Sequence, residues 1–293
     1  IGFLVAADRR IVNASSDLRV GKWRKNEYGK SYGLKGRTLG VIGTGAIGQA
    51  VIRRAQGLEM NVIAWSIELT PEMAEGLGIE YCKSYMEVAK RSDAVSLHIA
   101  LAPETKSMIN REFLSQMKPG AILINTSRGE VINTSDLKEA IRDKKLRVAL
   151  DVFENEPAGG DDSFIDTELA QMVTCTPHIG ASTDQSTEAI ADEVVNIVAH
   201  FKKTGKALNT VNTRSQTIGG ASLVVRHFNK VGVLADLLDK LKDEDINVEE
   251  MENMIFECGE AACCSLKLDK MPSEKTLRLI KDNRNIIQSE LKL

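Results

Sequence analysis

The stretch Thr38 to Gly48, TLGVIGTGAIG, constrains this chain more than any other. An apolar run enters three glycines, Gly43, Gly45 and Gly48, in the order G-x-G-x-x-G. A helical run to about Gly57 and a second apolar strand, Met60–Ser66, follow. A strand, a glycine-rich turn and a helix place free backbone N–H groups at a helix N-terminus, where they face a pyrophosphate. Glycines also end strands for purely conformational reasons, so the motif alone says little. The flanking strand, helix and strand supply the βαβ context that dinucleotide binding requires.

Further strand-like runs occur at Ala94–Ile99, Ala121–Ser127, Val148–Phe153 and Met172–Pro177. Helical stretches intervene at about 84–92, 110–117 and 134–145, with Thr134 or Ser135 as N-cap of the last. Near-continuous apolar strands alternating with helices predict a parallel sheet covered on both faces, that is, a doubly wound Rossmann-type α/β domain over residues 1–181. Residues 1–20 read as one amphipathic entry helix with Ile1, Leu4, Val5, Ile11 and Val12 on one side, and a basic loop, 21–35, follows. The chain opens at Ile1 as if in mid-helix, which suggests a preceding N-terminal segment. Beyond a long helix over 182–203, residues 209–220 are polar and rich in Thr, Asn and Gly, as expected of a linker. The pattern then resets: residues 221–293 read β-α-β-β-α-β, of ferredoxin-like type.

With 293 residues and 43% hydrophobic content, the chain can build two cores. A net charge of −3 demands neither nucleic acid nor an anionic membrane as partner, although residues 1–60 hold 11 Lys/Arg against 4 Asp/Glu. The five cysteines form no C-x-x-C pair and no metal-ligand spacing with the four histidines, so no metal site is expected, and reduced thiols in a cytosolic protein are. No apolar run approaches the length of a membrane span.

Three residues stand where an open α/β sheet places its ligand crevice, just after strands: Arg128 in SRGE, Glu156 in FENEP and His178 in TPHIGAST. Each has a plain alternative, as a surface Arg, a loop Glu and a capped His. Together they suit reversible oxidation of a 2-hydroxy acid by a nicotinamide cofactor. As hydride leaves C2, the hydroxyl must lose a proton to a base that titrates near neutrality, the property of imidazole. Glu156 could hold the other ring nitrogen of His178 and fix its tautomer. Arg128 offers a planar fork to the substrate carboxylate. Asp151 could accept a hydrogen bond from the nicotinamide amide, or simply cap a turn.

The segments GTGAIG, NTSRGEVIN, DVFENEP and TPHIGAST resemble, in order and spacing, the D-isomer-specific 2-hydroxyacid dehydrogenases. The C-terminal unit is similar to an ACT domain, and the combination resembles the branch of that family that acts on 3-phosphoglycerate. The resemblance implies that Arg128, Glu156 and His178 are catalytic. It implies NAD as cofactor, held by Gly43, Gly45, Ala46, Ile47, Gly48, Ser66, His98, Thr126, Arg128, Asp151, His178 and Gly180. It also implies a homo-oligomer, with the 182–203 helix returning to a substrate domain whose first part this sequence lacks. Lys25 sits where the family carries basic residues that reach a substrate phosphate. L-serine is the implied effector, met by His227, Asn229 and Asn247 across a dimer interface; their plain alternatives are a cap for Asn229 and a turn for Asn247.

Two positions depart from the family pattern. Ala46 stands where an Arg is common, and Ser66 where an acidic residue would hold the ribose hydroxyls. Glu68 follows, and no Arg or Lys lies between Asn61 and Tyr81 to pair a 2′-phosphate, so charge favours NAD over NADP. Alternative readings are a glyoxylate or hydroxypyruvate reductase and an NADH-binding corepressor.

Overall fold

A computed structural model describes residues 1–157, 163–211 and 221–292. The chain divides into two units, Ile1–Glu193 and Val194–Leu293. Most of the expected linker, 212–220, lies outside the described residues.

The first unit begins with helices α1 (Gly2–Arg9), α2 (Ile11–Arg19) and the short α3 (Lys25–Tyr28). Then come β1 (Thr38–Ile42), α4 (Ala46–Gly57), β2 (Asn61–Trp65), α5 (Pro71–Gly76), β3 (Glu80–Tyr81), α6 (Tyr85–Arg91) and β4 (Ala94–Leu97). The second half adds α7 (Arg111–Gln116), β5 (Ile122–Asn125), α8 (Thr134–Lys144), β6 (Arg147–Leu150), α9 (Thr167–Met172) and β7 (Thr174–Cys175). The strands form one parallel sheet in the order β3-β2-β1-β4-β5-β6-β7. The order reverses between β1 and β4, which sets a crevice at the C-terminal ends of those two strands.

Alternate side chains of each central strand serve opposite cores, as a sheet covered on both faces requires. Leu97, Leu123, Val148 and Leu150 join Val88, Phe113 and Leu137 of α6, α7 and α8 on one face. Leu39, Val41, Ile122 and Ala149 join Leu4 of α1 and Ile52 and Ala55 of α4 on the other.

The expected single entry helix is two. Arg10 takes left-handed backbone, φ 49, and breaks the rod. The break resets the helical phase, so Leu4 is buried while Ile11 and Val12 reach solvent. Helix α1 is tied down by Asp8, a carboxylate only 1% exposed. Asp8 pairs with Arg37 at 2.9 Å and accepts from Ser31 Oγ at 2.6 Å, while Arg147 of β6 donates to its backbone carbonyl at 2.6 Å. Replacing Asp8 with Ala would strand two cations beneath α1. The variant is expected to lose on the order of 3–5 kcal/mol of stability, read as a lowered urea midpoint.

Other boundaries move for local reasons. Asn133, not Thr134 or Ser135, caps α8, its side chain accepting from Asp136 N–H at 3.0 Å. The expected strands Ala121–Ser127 and Val148–Phe153 end early, at Asn125 and Leu150, because Asn125 and Asp151 hold the chain in turns. Met172 ends α9 rather than starting a strand. The five cysteines are free, and burial pushes the Cys82 and Cys264 thiols up to about 11, which keeps them unreactive.

Helix α10 (Asp184–Thr204) contains the boundary between the two units and has no buried residue. Its Ile190, Val194, Val198 and Phe201, at helical spacing, are more than half exposed. No helix among the described residues is long and apolar enough to cross a membrane.

The second unit runs β8 (Ser222–Phe228), α11 (Val233–Lys242), β9 (Val248–Ile255), β10 (Ala261–Leu268), α12 (Glu274–Lys281) and β11 (Ile286–Lys292). Its antiparallel sheet has the order β11-β8-β10-β9, the ferredoxin-like arrangement. Leu223, Val225, Cys264 and Leu266 pack against Leu237, Leu241 and Ile280 of the two helices, all on one face.

Candidate active site

The turn after β1 meets the requirements of a dinucleotide cradle on three separate counts. Gly43 has φ +95, and a Cβ there would lie 2.2 Å from the His98 carbonyl oxygen. Gly48 sits on α4 so close to β1 that a Cβ would come within 2.1 Å of the Gly43 carbonyl oxygen. Gly45, the N-cap of α4, has no heavy atom within 4 Å of its missing Cβ. That open space lies where helix N–H groups point outward, so it suits a pyrophosphate. Ala46 and Ile47 are exposed beside it, and Ser66 follows directly on Trp65, whose carbonyl accepts from Gly43 N–H at 2.9 Å.

His98 extends β4, donating its N–H to the Ile42 carbonyl at 2.8 Å, and forms the floor of the turn. Burial pushes its imidazole down to about 4, and Nε2 pairs with Ser96 Oγ at 2.9 Å, so the ring is neutral at physiological pH. Thr126 is exposed just beyond β5.

Farther along the same sheet edge, Arg128, Glu156 and His178 line one cleft of about 580 Å³ with Gly129, Phe153 and Ile165. The strands that carry them, β5, β6 and β7, lie two to four places from β1, roughly 10–19 Å at sheet spacing. His178 Nδ1 is 2.7 Å from Glu156 Oε2, while Glu156 Oε1 accepts from Phe153 N–H at 3.0 Å. The carboxylate is therefore braced before it braces the ring. An ionised carboxylate only accepts, so Nδ1 carries the proton, and Nε2 of the neutral ring is the basic nitrogen. Arg128 is exposed; its guanidinium donates to the Ser127 carbonyl at 2.7 Å and joins no ion pair among the described residues.

His178 itself has φ 54, left-handed backbone that a non-glycine residue adopts only when its surroundings impose it. Asp151 imposes it. This carboxylate is 2% exposed and accepts from Thr176 Oγ1 at 2.5 Å, Ile179 N–H at 2.9 Å and Gly180 N–H at 2.8 Å. Its own carbonyl accepts from His178 N–H at 2.8 Å. Asp151 thus holds the His178 loop, as its turn-capping reading expects.

Other expected positions separate. Lys25 lies on α3 and lines a groove with Ile11, Leu18 and Trp23, not the cleft of Arg128 and His178. In the second unit, His227 is 2% exposed, and both ring nitrogens are engaged, by Asn253 Oδ1 and the Phe228 carbonyl. Asn229 does not cap α11, whose N-cap is Gly232; its amide donates to the Gly259 carbonyl at 2.9 Å. On β10, His227 pairs with Ala262 and the neighbour of Asn247, Val248, with Leu268. Six residues of strand, about 20 Å, keep Asn247 from His227 and Asn229 within one copy.

Residues 1–180 match the family model described as D-isomer specific 2-hydroxyacid dehydrogenase, NAD binding domain. The chain belongs to this family. Its NAD-binding domain is the first unit, and the Gly43–Gly48 turn fits the cofactor it is named for. Among relatives, a protein named glyoxylate reductase from Thermococcus litoralis is 42% identical over 216 residues, covering 71% of this chain and 64% of its own length. One named D-3-phosphoglycerate dehydrogenase from Escherichia coli K12 is 31% identical over 297 residues, covering 99% of this chain and 71% of that protein. Among solved structures, D-lactate dehydrogenase from Aquifex aeolicus complexed with NAD and lactic acid superposes with a TM-score of 0.61 at 32% identity. That match covers 69% of this chain and 64% of the other. The chain therefore spans a little under two thirds of the Thermococcus and Aquifex family members.

Sequence reasoning passed over Asn125 and Thr176, which hold the loops carrying Arg128 and His178. The signal was available for Asn125: a polar residue that ends an otherwise apolar central strand must find its partners locally.

Proposed function

We propose that the protein oxidises D-3-phosphoglycerate to 3-phosphohydroxypyruvate with NAD, the first step of serine biosynthesis. The observation that carries the dehydrogenase reading is the His178–Glu156 pair at 2.7 Å in the same cleft as Arg128, on the sheet edge that bears the NAD turn. Arg128 holds the substrate carboxylate and orients C2. His178 Nε2 takes the proton of the C2 hydroxyl as the C2–O bond becomes a carbonyl. Glu156 keeps Nδ1 protonated and stabilises the imidazolium that forms. The bound cofactor supplies the nicotinamide carbon that accepts the hydride from C2. In the reverse direction the same imidazolium returns its proton to the carbonyl oxygen.

The choice of substrate rests on the second unit. Its ferredoxin-like fold suits an ACT-type regulatory domain. A relative that covers 99% of this chain bears the phosphoglycerate name, whereas two relatives named glyoxylate reductase cover 71% and 68%. A homo-oligomer regulated by L-serine belongs to the same proposal, with Asn247 supplied by a second copy. One observation favours a glyoxylate or hydroxypyruvate reductase instead: Arg128 is the single Arg or Lys in the cleft's described lining, enough for one carboxylate. Steady-state kinetics on the full-length protein separate the two. A higher kcat/KM with 3-phosphohydroxypyruvate and NADH than with glyoxylate and NADH is expected, and the reverse order would overturn the assignment.

The same assay checks cofactor choice. Ile67 and Glu68 are exposed just past β2, and the Glu68 carboxylate would repel a 2′-phosphate. NADH should be preferred to NADPH by about tenfold or more. Equal turnover at matched concentrations would contradict it.

A further inference from the structure

We infer that Asn125 is the positioning residue for Arg128, an inference that rests on the role proposed for Arg128 above. Asn125 ends β5 between Leu97 of β4 and Leu150 of β6, and it is fully buried. A polar amide in such a place must be paired or it destabilises the fold. All its observed side-chain bonds go to the three residues that follow. Nδ2 donates to the Arg128 carbonyl at 2.8 Å, and Oδ1 accepts from Ser127 N–H at 3.0 Å and Ser127 Oγ at 2.8 Å.

The amide thus closes a turn whose last member is Arg128. On the far side, a Cβ on Gly129 would fall 1.9 Å from the Phe153 carbonyl carbon, so the backbone after Arg128 is pressed against the loop that leads to Glu156. Among the described residues the guanidinium has no anchor of its own beyond the Ser127 carbonyl. Its place in the cleft is set from the backbone, and Asn125 sets the backbone. The strand end of β6 does the same for His178 through Asp151, and the two are neighbours, Asp151 N–H donating to the Asn125 carbonyl at 3.0 Å.

The link can be cut at one atom. Asn125→Asp keeps an oxygen for the two Ser127 donors and replaces the Nδ2 donor with an oxygen facing the Arg128 carbonyl. In the full-length protein, kcat/KM for the hydroxy acid should fall about 10- to 100-fold, because small misplacements of a positioning group are costly to rate. NADH binding, read by fluorescence titration, should be unchanged. The decisive readout is a double-mutant cycle: in an Arg128→Ala background, Asn125→Asp should cost nothing further. Losses that multiply, or a loss of NADH binding alongside rate, would overturn the inference. Should Asn125→Asp fail to fold, Asn125→Ser carries the same cycle. If Arg128→Ala alone leaves kcat/KM intact, the proposed role of Arg128 fails, a result distinct from failure of the coupling.

Discussion

Replacing His178 with Asn is expected to lower kcat by roughly 10² to 10⁴ while leaving NADH affinity where it is. An amide cannot take up the hydroxyl proton at neutral pH, so the base is removed and little else. Asn is the right probe because His178 sits at φ 54, and Asn tolerates left-handed backbone better than other side chains. Alanine would mix chemistry with strain. The three bonds from Asp151 to the Thr176–Gly180 segment remain, so the loop should keep its shape. Stopped-flow measurement of hydride transfer checks the rate and fluorescence titration checks the cofactor. An unchanged rate would remove His178 from the mechanism.

The second large effect comes from a pair of glycines two residues apart. Gly45→Ala should leave thermal stability intact and raise the Kd for NADH about tenfold or more, since the added methyl enters space that the protein leaves open. Gly43→Ala should instead destabilise the whole unit by on the order of 3 kcal/mol, because it combines positive φ with a carbonyl 2.2 Å from the new Cβ. A thermal melt and a titration on each variant give four readings. If Gly45→Ala binds NADH as tightly as the native protein, the space above Gly45 is not the pyrophosphate site.

Much of this was legible beforehand. The strand-turn-helix signal of TLGVIGTGAIG located β1 and α4, and the apolar runs located the other central strands, because a strand buried on both faces has little freedom in composition. The β-α-β-β-α-β reading of the last 70 or so residues matched element for element, with the clearest strand alternation on β8 and β10. Arg128, Glu156 and His178 share a cleft, as their positions after successive strands suggested. The entry helix was read too long because hydrophobic spacing carries through Arg10, whereas a single left-handed residue interrupts the rod without changing composition.

Strand ends were the weaker part, for one physical reason. At Asn125 and Asp151 the sheet stops where a side chain offers the backbone a competing set of hydrogen bonds, and that depends on which donors are folded back to meet it. The effector residues, expected to meet across a dimer interface, lie apart within one copy. His227, Asn229 and Asn247 are close in sequence logic, but antiparallel pairing through β10 puts Asn247 at the other end of the sheet.

The sequence by itself determined the layer architecture and the nucleotide turn, and singled out the histidine proposed as acid/base, because these follow from local geometry and residue chemistry. Only the tertiary structure decided which atoms act together. The Asn125 amide beneath Arg128 closes within a single turn, whereas the Nδ1–Glu156 bond and the Asp151 clamp that holds His178 at positive φ each join residues from different loops. Their contacts exist only once the parallel sheet has brought the ends of β6 and β7 side by side.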